Sequence, residues 1–305
     1  MRGHNLWHAV VLAAPALAVF LCLVVYPALE GILLSLFPLD VVSWASDGSA
    51  LGAHSGSFAG LESYRGLFAN RSFVDSVKVM LAFTVVTTIL ELGFALAVAL
   101  AFEYVIKLPG LVKTLLLVPM FVIPLVSGLT FRYLFDPLDG AAAEILRLFG
   151  REAPDLFSSG AGAFGLVVWQ DFWRMWPFVF LILAAGLKTI PKDLLEAFEI
   201  DGGSLAGAVR HIVIPLLVPS LLVAGGLKAV ESLKAFTEIY TLTGGGPGTA
   251  TTTLSLFIVR EGFESFRVSS AAAAGTLLLA LGLTLAAGYT SWQVFRMRRW
   301  GGHQA

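Results

Sequence analysis

The chain has 305 residues, of which 57% are hydrophobic and 13% are charged, and its formal net charge at pH 7 is −1. Soluble domains carry about 25% charged residues, so this composition indicates a polytopic membrane protein. The near-zero net charge leaves no basic surplus to neutralise phosphates, which excludes a nucleic-acid binder. The single cysteine, Cys22, excludes an intrachain disulfide and a multi-cysteine metal site.

Six apolar runs are long enough to cross a bilayer, whose core of about 30 Å needs about 20 apolar residues as a helix. The first run continues well beyond Ala16-Leu17-Ala18, where a signal peptide would be cleaved, so we interpret it as a retained span. The loops are too short for an independent soluble core. The sequence predicts an all-α membrane protein with one transmembrane domain over residues 1–305. The predicted spans cover about 9–36, 77–102, 113–134, 163–188, 212–236 and 268–295.

Several charged residues lie inside these predicted spans, where they are costly in lipid and usually face a cavity or a partner. Glu91 stands alone in the middle of the second span. Asp171 and Arg174 are three residues apart in the fourth span and share one helical face. The fifth span carries Lys228, Glu231, Ser232 and Lys234 near its outer end. One interpretation is that Asp171 neutralises Arg174 and Glu231 pairs with Lys228 or Lys234, so that these groups only join helices.

The segment between the fourth and fifth spans, residues 189–211, has the signals of a helix, a turn and a second helix. Pro191 suits a first helical turn because its φ is fixed, and about two turns can follow over Lys192 to Ile200. Asp201-Gly202 breaks that helix because glycine tolerates positive φ. Ser204 can cap the second helix. Periodicity alone also fits an amphipathic segment that lies on the lipid surface.

The distribution of positive charge predicts the orientation of the chain. Lysine and arginine are denser in the segments that are cytoplasmic when the amino terminus is inside, among them Lys188, Lys192 and Arg210, than in the external loops. Positive residues favour the cytoplasmic side of a membrane. The sequence therefore predicts that both termini and the 189–211 loop are cytoplasmic.

Motifs of catalysis and nucleotide binding are missing from the sequence. It contains no G-x-x-x-x-G-K-[ST], no H-E-x-x-H and no G-x-S-x-G. Residues 160–165 match G-x-G-x-x-G, but no strand precedes them and no acidic residue follows about 20 positions later, so we interpret them as a helix entry. We predict no catalytic residue, no metal site and no cofactor in this chain. Energy must come from another subunit or from an ion gradient.

The 189–211 loop carries a second pattern. Glu196-Ala197 is followed at fixed offsets by Gly202, Ile212, an apolar residue at 214 and Pro215. This spacing resembles the EAA loop of the membrane subunits of binding-protein-dependent ABC importers, which in that family docks into the ATPase subunit. Phe198 departs from the usual second alanine, so the fit to the ATPase groove is expected to differ in detail. The resemblance implies docking by Glu196, Ala197, Phe198, Asp201, Gly202 and Pro215.

A second resemblance narrows the solute class. Residues 236–247, which end in Thr243-Gly244-Gly245-Gly246-Pro247, resemble a segment of sugar-importer permeases of the maltose and glycerol-phosphate type. Residues 117–124, 134–137 and 185–191 add to it, so the resemblance extends over all six spans. It implies a sugar, a polyol or a related compound as the transported solute.

The maltose-type permeases also act as a positional guide for the solute path, with Trp173 and Pro177 fixing the register in the fourth span. The positions that face sugar in those relatives fall on Asp171, Arg174, Met175, Phe178, Glu231, Ser232 and Ala235. Carboxylates and hydroxyls can hydrogen-bond a hydroxylated ligand, and Phe178 can stack on its apolar face. Arg174 would also suit an anionic group, so a charged solute and a neutral one both stay open.

The family resemblance implies an assembly in the bacterial inner membrane in which this chain is a permease subunit and not an enzyme. A second, non-identical permease would complete the path, two cytoplasmic ATPases would bind ATP and Mg²⁺, and an extracytoplasmic solute-binding protein would deliver the solute. Closure of the ATPases would move the docking loop as a lever between inward-open and outward-open states. The alternative is a secondary transporter driven by an ion gradient, with Glu91, Asp171 or Glu231 as a proton site.

Overall fold

The computed structural model describes residues 3–37, 58, 60–106 and 109–301, and these residues form helices, turns and loops without a β-strand. The all-α prediction is confirmed. Residues 1–2 and 302–305, the two termini that are predicted to be cytoplasmic, lie outside the described residues. The α-helices of the described chain are α1 (Gly3–Phe20), α2 (Tyr26–Leu36), α3 (Glu62–Ala69), α4 (Arg71–Tyr104), α5 (Gly110–Leu115), α6 (Pro124–Leu134), α7 (Ala141–Leu148), α8 (Gly160–Leu187), α9 (Lys192–Ile200), α10 (Leu205–Ala208), α11 (Ile214–Leu233), α12 (Thr237–Leu242), α13 (Leu254–Val259) and α14 (Val268–Gly301).

Five helical segments of the described residues are long and apolar enough to cross a membrane, or six if one bent pair counts as a single span. The segments are Leu12–Leu36, Arg71–Tyr104, the bent pair Gly110–Phe121 with Pro124–Leu134, Gly160–Leu187, Leu205–Leu233 and Val268–Ser291. Each predicted span corresponds to one of them. The structure therefore agrees with a six-span membrane protein.

The third span is broken, which the apolar run at 113–134 did not indicate. Its two halves meet at an angle of 92°. Between them Val122 and Ile123 are extended, with ψ of 126° and 137°. Proline disfavours the helical conformation in the residue before it, and Pro124 then occupies the first turn of α6. Proline chemistry at this point therefore outweighs the apolar pattern.

The fifth span is longer than predicted at its start. A π-helical segment, Val209–Val213, joins α10 to α11 without a break. The candidate span consequently begins at Leu205 and not near residue 212, because the second helix of the 189–211 loop and the fifth span form one continuous helix. This continuity connects the loop directly to the membrane-spanning part of the chain.

Contacts divide the chain into two compact units, and a single transmembrane domain over residues 1–305 stays a prediction. The first unit comprises Met1–Val74 and Phe257–Leu281. In this unit the Ser35 hydroxyl lies 2.7 Å from the Tyr64 hydroxyl and so links α2 to α3. The Ser269 hydroxyl donates to the Phe37 carbonyl at 3.1 Å, which holds the start of α14 near the end of α2.

The second unit comprises Asp75–Leu256 and Gly282–Ala305, and it contains the candidate sites. Its helices α8 and α11 pack closely because Gly186 has no side chain. A Cβ at this position would lie 2.2 Å from the Ser220 hydroxyl. One buried apolar cluster lies around this contact and includes Leu183 and Leu217. A second buried cluster involves α6, α8 and α12. The charged side chains described next belong to the same helices.

Candidate functional site

The docking loop, residues 189–211, forms the helix, turn and helix that its sequence predicts. Helix α9 begins after Pro191, which has φ of −62°, and covers Lys192–Ile200. The second helix begins after Ser204, whose hydroxyl accepts a hydrogen bond from the Gly207 N–H at 3.2 Å. This cap satisfies one of the free N–H groups at the helix start. The expected cap is therefore confirmed.

The turn between the two helices depends on glycine at position 202. Gly202 has φ of +82°, in the region that side chains other than glycine rarely adopt. Its N–H donates to the Glu199 carbonyl at 2.9 Å, and the Gly203 N–H donates to the Phe198 carbonyl at 2.9 Å. These bonds end the helix in the manner of a Schellman motif, which satisfies carbonyls that would otherwise lack partners. The strain expected for a larger residue at this position follows from the observed φ.

Phe198 packs inside the docking loop. A Cβ at Gly203 would lie 2.1 Å from Cε1 of the Phe198 ring, and one at Gly207 would lie 3.3 Å from it. The phenylalanine side chain is consequently half-buried over two glycines of its own loop. Phe198 takes the place of the second alanine of the related motif by filling space that these glycines leave open. Its predicted contact with an ATPase stays a prediction.

The other predicted docking residues present a surface to solvent. Glu196, Ala197, Asp201, Gly202 and Pro215 are all exposed. Exposed apolar side chains of the same segment accompany them, namely Leu194, Ile200 and Leu205, with exposed fractions of 46%, 85% and 51%. Exposed apolar side chains beside charged ones are a common composition of protein interfaces.

Five charged side chains form a buried group in the second unit, which we call the charge network: Glu91, Asp171, Arg174, Lys228 and Glu238. Each is at most 7% exposed. The Lys228 ammonium lies 2.9 Å from Glu91 Oε1 and 2.5 Å from Asp171 Oδ2. Arg174 is held more loosely, at 3.5 Å from Asp171 and 3.6 Å from Glu238. Helices α4, α8, α11 and α12 meet in these contacts.

The charge network is unevenly satisfied. The Lys228 ammonium donates a hydrogen bond to Asp171, whereas its 2.9 Å approach to Glu91 is an ion pair without hydrogen-bond alignment. Arg174 Nε has no hydrogen-bond partner among the described residues. Three carboxylates face two basic groups, so the network carries one excess negative charge when every group is ionised. In that fully ionised state a further anion would meet net repulsion in this low-dielectric environment.

The structure identifies the ion-pair partners that the sequence left open. Glu91, the lone charge in the middle of the second span, pairs with Lys228 of another helix. Of the two expected partners of Glu231, Lys234 is the one that it meets, at 2.9 Å on an exposed surface where the Glu231 and Lys234 side chains are 49% and 63% exposed. The ion pair of Asp171 with Arg174 exists, but it is one contact of a larger network. A charge in a span indicates that a partner exists, yet only the packing of distant helices identifies that partner.

The remaining predicted solute residues lie in different surroundings. Ser232 is buried, and its hydroxyl lies 3.2 Å from the Thr87 hydroxyl. Met175 and Ala235 are buried, and Ala235 belongs to the apolar cluster of α6, α8 and α12. Phe178 is half-buried against the other apolar cluster. Among the predicted set, the network unites Asp171 and Arg174, and Glu231 lies outside it.

The glycine-rich segment after the fifth span is ordered by threonine side chains. Gly244 and Gly245 have positive φ, of +61° and +87°. The Thr243 and Thr251 hydroxyls lie 2.7 Å apart, and the Thr252 hydroxyl donates to the Gly245 carbonyl at 2.9 Å. The run of glycines is therefore a fixed turn that holds α12, and with it Glu238, in place.

The related motif at residues 134–137 has a similar local role. The Asp136 carboxylate accepts hydrogen bonds from the N–H groups of Asp139 and Leu138, at 3.1 and 3.0 Å. These bonds lower the pKa of Asp136 below its usual value, because they favour the ionised form. The carboxylate thus stabilises the turn between α6 and α7.

Comparison with known proteins gives the family. A family model described as "Binding-protein-dependent transport system inner membrane component" matches residues 9–299. The chain belongs to this family. The family predicted from the docking loop and the glycine-rich segment is thereby confirmed. The protein is a multi-pass inner membrane component of a binding-protein-dependent transport system, and the comparisons give no support to an ion-gradient transporter.

Individual relatives of this inner membrane component agree. It is 34% identical over 237 residues to the sn-glycerol-3-phosphate transport system permease protein UgpA of Agrobacterium fabrum, covering 76% of this chain and 80% of the relative. It is 34% identical over 229 residues to the trehalose/maltose transport system permease protein MalF of Thermococcus litoralis, covering 75% and 78%. In fold it resembles a bacterial ABC transporter that imports the acidic polysaccharide alginate, with a TM-score of 0.77, 18% identity and coverage of 94% and 98%.

Proposed function

We propose that this chain is one permease subunit of an ABC importer for a sugar, a polyol or a sugar derivative. A second, non-identical permease completes the path, and an extracytoplasmic solute-binding protein delivers the solute. Two cytoplasmic ATPases bind ATP and Mg²⁺ and engage one docking loop each. The chain itself performs no covalent chemistry. The similar proteins support this assembly, since one solved relative is an alginate ABC transporter in complex with a pentasaccharide-bound periplasmic protein.

The observation that carries the proposal is the docking loop itself. Its α9 is exposed, ends at a glycine of positive φ, and leads through α10 into the fifth span without a break. A surface that binds an ATPase and continues as a spanning helix can convert closure of that ATPase into movement of the span. Because the ATPases are cytoplasmic, the proposal places the docking loop and both termini in the cytoplasm. The distribution of lysine and arginine agrees with this orientation.

The proposed solute path passes Asp171, Arg174, Met175, Phe178, Ser232 and Ala235, with Glu231 nearer the surface. The names of the relatives give either neutral disaccharides, trehalose and maltose, or a phosphorylated polyol, sn-glycerol 3-phosphate, as the transported solute. We assign a neutral sugar or polyol to this chain, because a neutral solute adds no further charge to the buried groups of the charge network, which already pair with one another. A hydroxylated neutral solute can accept hydrogen bonds from Arg174 without adding a buried charge.

The test is reconstitution of the complete assembly in vesicles with the solute-binding protein outside and ATP inside. We expect uptake of a labelled neutral sugar such as maltose or trehalose, dependent on ATP and on the binding protein, and weak competition by sn-glycerol 3-phosphate. Preferred uptake of sn-glycerol 3-phosphate would overturn the neutral assignment alone. Uptake that survives removal of the ATPases but stops when an ionophore collapses the ion gradient would overturn the importer itself.

A further inference from the structure

Lys228 is connected to the docking loop by one helix. The helical segment from Leu205 to Leu233 is uninterrupted, because the π-helical segment Val209–Val213 joins its two α-helical parts. Lys228 lies on this helix roughly 35 Å from its start at a rise of 1.5 Å per residue. Displacement of the docking loop along this axis is therefore a displacement of the Lys228 backbone.

The ammonium of Lys228 touches two other spans. Glu91 on α4 lies 2.9 Å from it, and Asp171 on α8 lies 2.5 Å from it. Lys228 and Glu91 are fully buried, and Asp171 is 2% exposed. Three helices thus meet at one buried nitrogen atom.

Burial decides how strongly this contact joins the helices. Removal of the ammonium would leave Glu91 without its ion-pair partner and Asp171 with only the looser contact to Arg174, both in a medium of low dielectric. The exposed pair of Lys234 with Glu231, near the end of the same helix, has no such effect, since water solvates both groups when they part. The buried pairs therefore favour joint movement of the three helices.

We propose that Lys228 is a positioning residue for coupling: it transmits displacement of the docking loop to Glu91 and Asp171, so that α4, α8 and α11 move together. This role rests on the proposed importer function, and neither the sequence motifs nor the relatives assign it. Asp171 is a predicted solute residue, so Lys228 links the surface that binds the ATPase with the side chains that meet the solute.

The variant that tests the role is the double change Glu91→Gln with Lys228→Met. It removes one negative and one positive charge, so the excess charge of the network is unchanged and no carboxylate loses its only partner, since Asp171 keeps Arg174. A purely structural role predicts that this variant couples like the wild type. We expect instead an assembled complex whose ATP hydrolysis, measured as released phosphate, no longer rises with maltose-loaded binding protein. The expected loss of that stimulation is tenfold or more.

Lys234→Met is the matched control, because it removes an exposed lysine from the end of the same helix. It should keep the wild-type stimulation. Wild-type stimulation in the double variant would overturn the positioning role. A wild-type complex that consumes ATP without any uptake would instead count against the importer function, so the two failures are distinguishable.

A second measurement needs no change in the network. Spin labels are attached to cysteines that replace Trp169 on α8 and Leu227 on α11, whose side chains are 53% and 51% exposed. These two positions are close in sequence to Asp171 and Lys228. The only cysteine, Cys22, is replaced by serine beforehand. We expect the distance between the labels to stay within about 2 Å between the nucleotide-free and the ATP-vanadate states. A change of more than about 5 Å would show that α11 moves without α8, and would overturn the proposal.

Discussion

The docking loop and the charge network have different origins in the chain. The loop is built from neighbours: its turn uses hydrogen bonds between residues 198 and 203, and its cap joins Ser204 to Gly207. The network is built from residues far apart, since Lys228 meets Glu91 and Asp171 on other helices. The loop is exposed to solvent, whereas the side chains of the network are buried. Local chemistry thus shapes the surface that is proposed to dock, and long-range pairing joins the helices that carry the network.

The largest effect should come from breaking the network at its centre. Lys228→Met leaves Glu91 and Asp171 buried without their shared cation, and we expect a loss of about 3–5 kcal/mol in stability. Lys234→Met removes an exposed partner and should change stability by about 0–1 kcal/mol. Thermal unfolding of the purified permease pair, measured for both variants in parallel, tests this contrast. Equal effects of the two changes would mean that burial does not distinguish the two lysines.

The docking loop should respond to backbone strain at Gly202. A valine there has to adopt φ near +82°, which costs on the order of 1–3 kcal/mol and favours a different turn. We expect Gly202→Val to lose most ATPase copurification and most uptake, while thermal unfolding of the spans is unchanged.

Asparagine at the same position is the control, since it tolerates positive φ better than other residues with a side chain. A Cβ at Gly202 would meet no other atom within 4 Å, so backbone strain and not crowding at Cβ distinguishes the two variants. Gly202→Asn should therefore keep ATPase binding. If the valine variant copurifies with the ATPase and transports as the wild type does, the loop is not the lever.

The same contrast explains what the sequence predicts. The apolar runs locate all six spans, and Pro191, Gly202 and Ser204 define the docking loop, because each of these signals acts within a few residues. The break before Pro124 is also a local signal, but a continuous apolar run conceals it. The sequence alone does not assign Lys228 and Glu238 to the network, because the spacing of residues along one helix does not identify a partner on another helix.

A smaller effect should separate solute contact from helix pairing at the fourth span. The double change Asp171→Asn with Arg174→Gln removes one charge of each sign and leaves Lys228 paired with Glu91, while Glu238 loses its ion pair with Arg174. If the two residues meet the solute, KM for maltose uptake should rise about tenfold, which corresponds to about 1.4 kcal/mol of binding. If they only pair, KM should keep its wild-type value. The ratio of ATP hydrolysed to maltose imported, measured alongside, detects any loss of coupling separately from a change in KM.

The smallest predicted effect concerns one hydrogen bond at the edge of the network. The hydroxyls of Ser232 and Thr87 lie 3.2 Å apart and are both buried, so Ser232→Ala and Thr87→Ala each remove this bond, worth about 0.5–1.5 kcal/mol. Thr87→Ala also removes the bond from its hydroxyl to the Phe83 carbonyl at 2.8 Å, so it should destabilise at least as much as Ser232→Ala in thermal unfolding. Only Ser232 is predicted to face the solute, and we expect KM for maltose uptake to rise a few-fold in Ser232→Ala but not in Thr87→Ala. Equal KM values in the two variants would remove Ser232 from the proposed solute path and leave it with a role in joining α4 to α11.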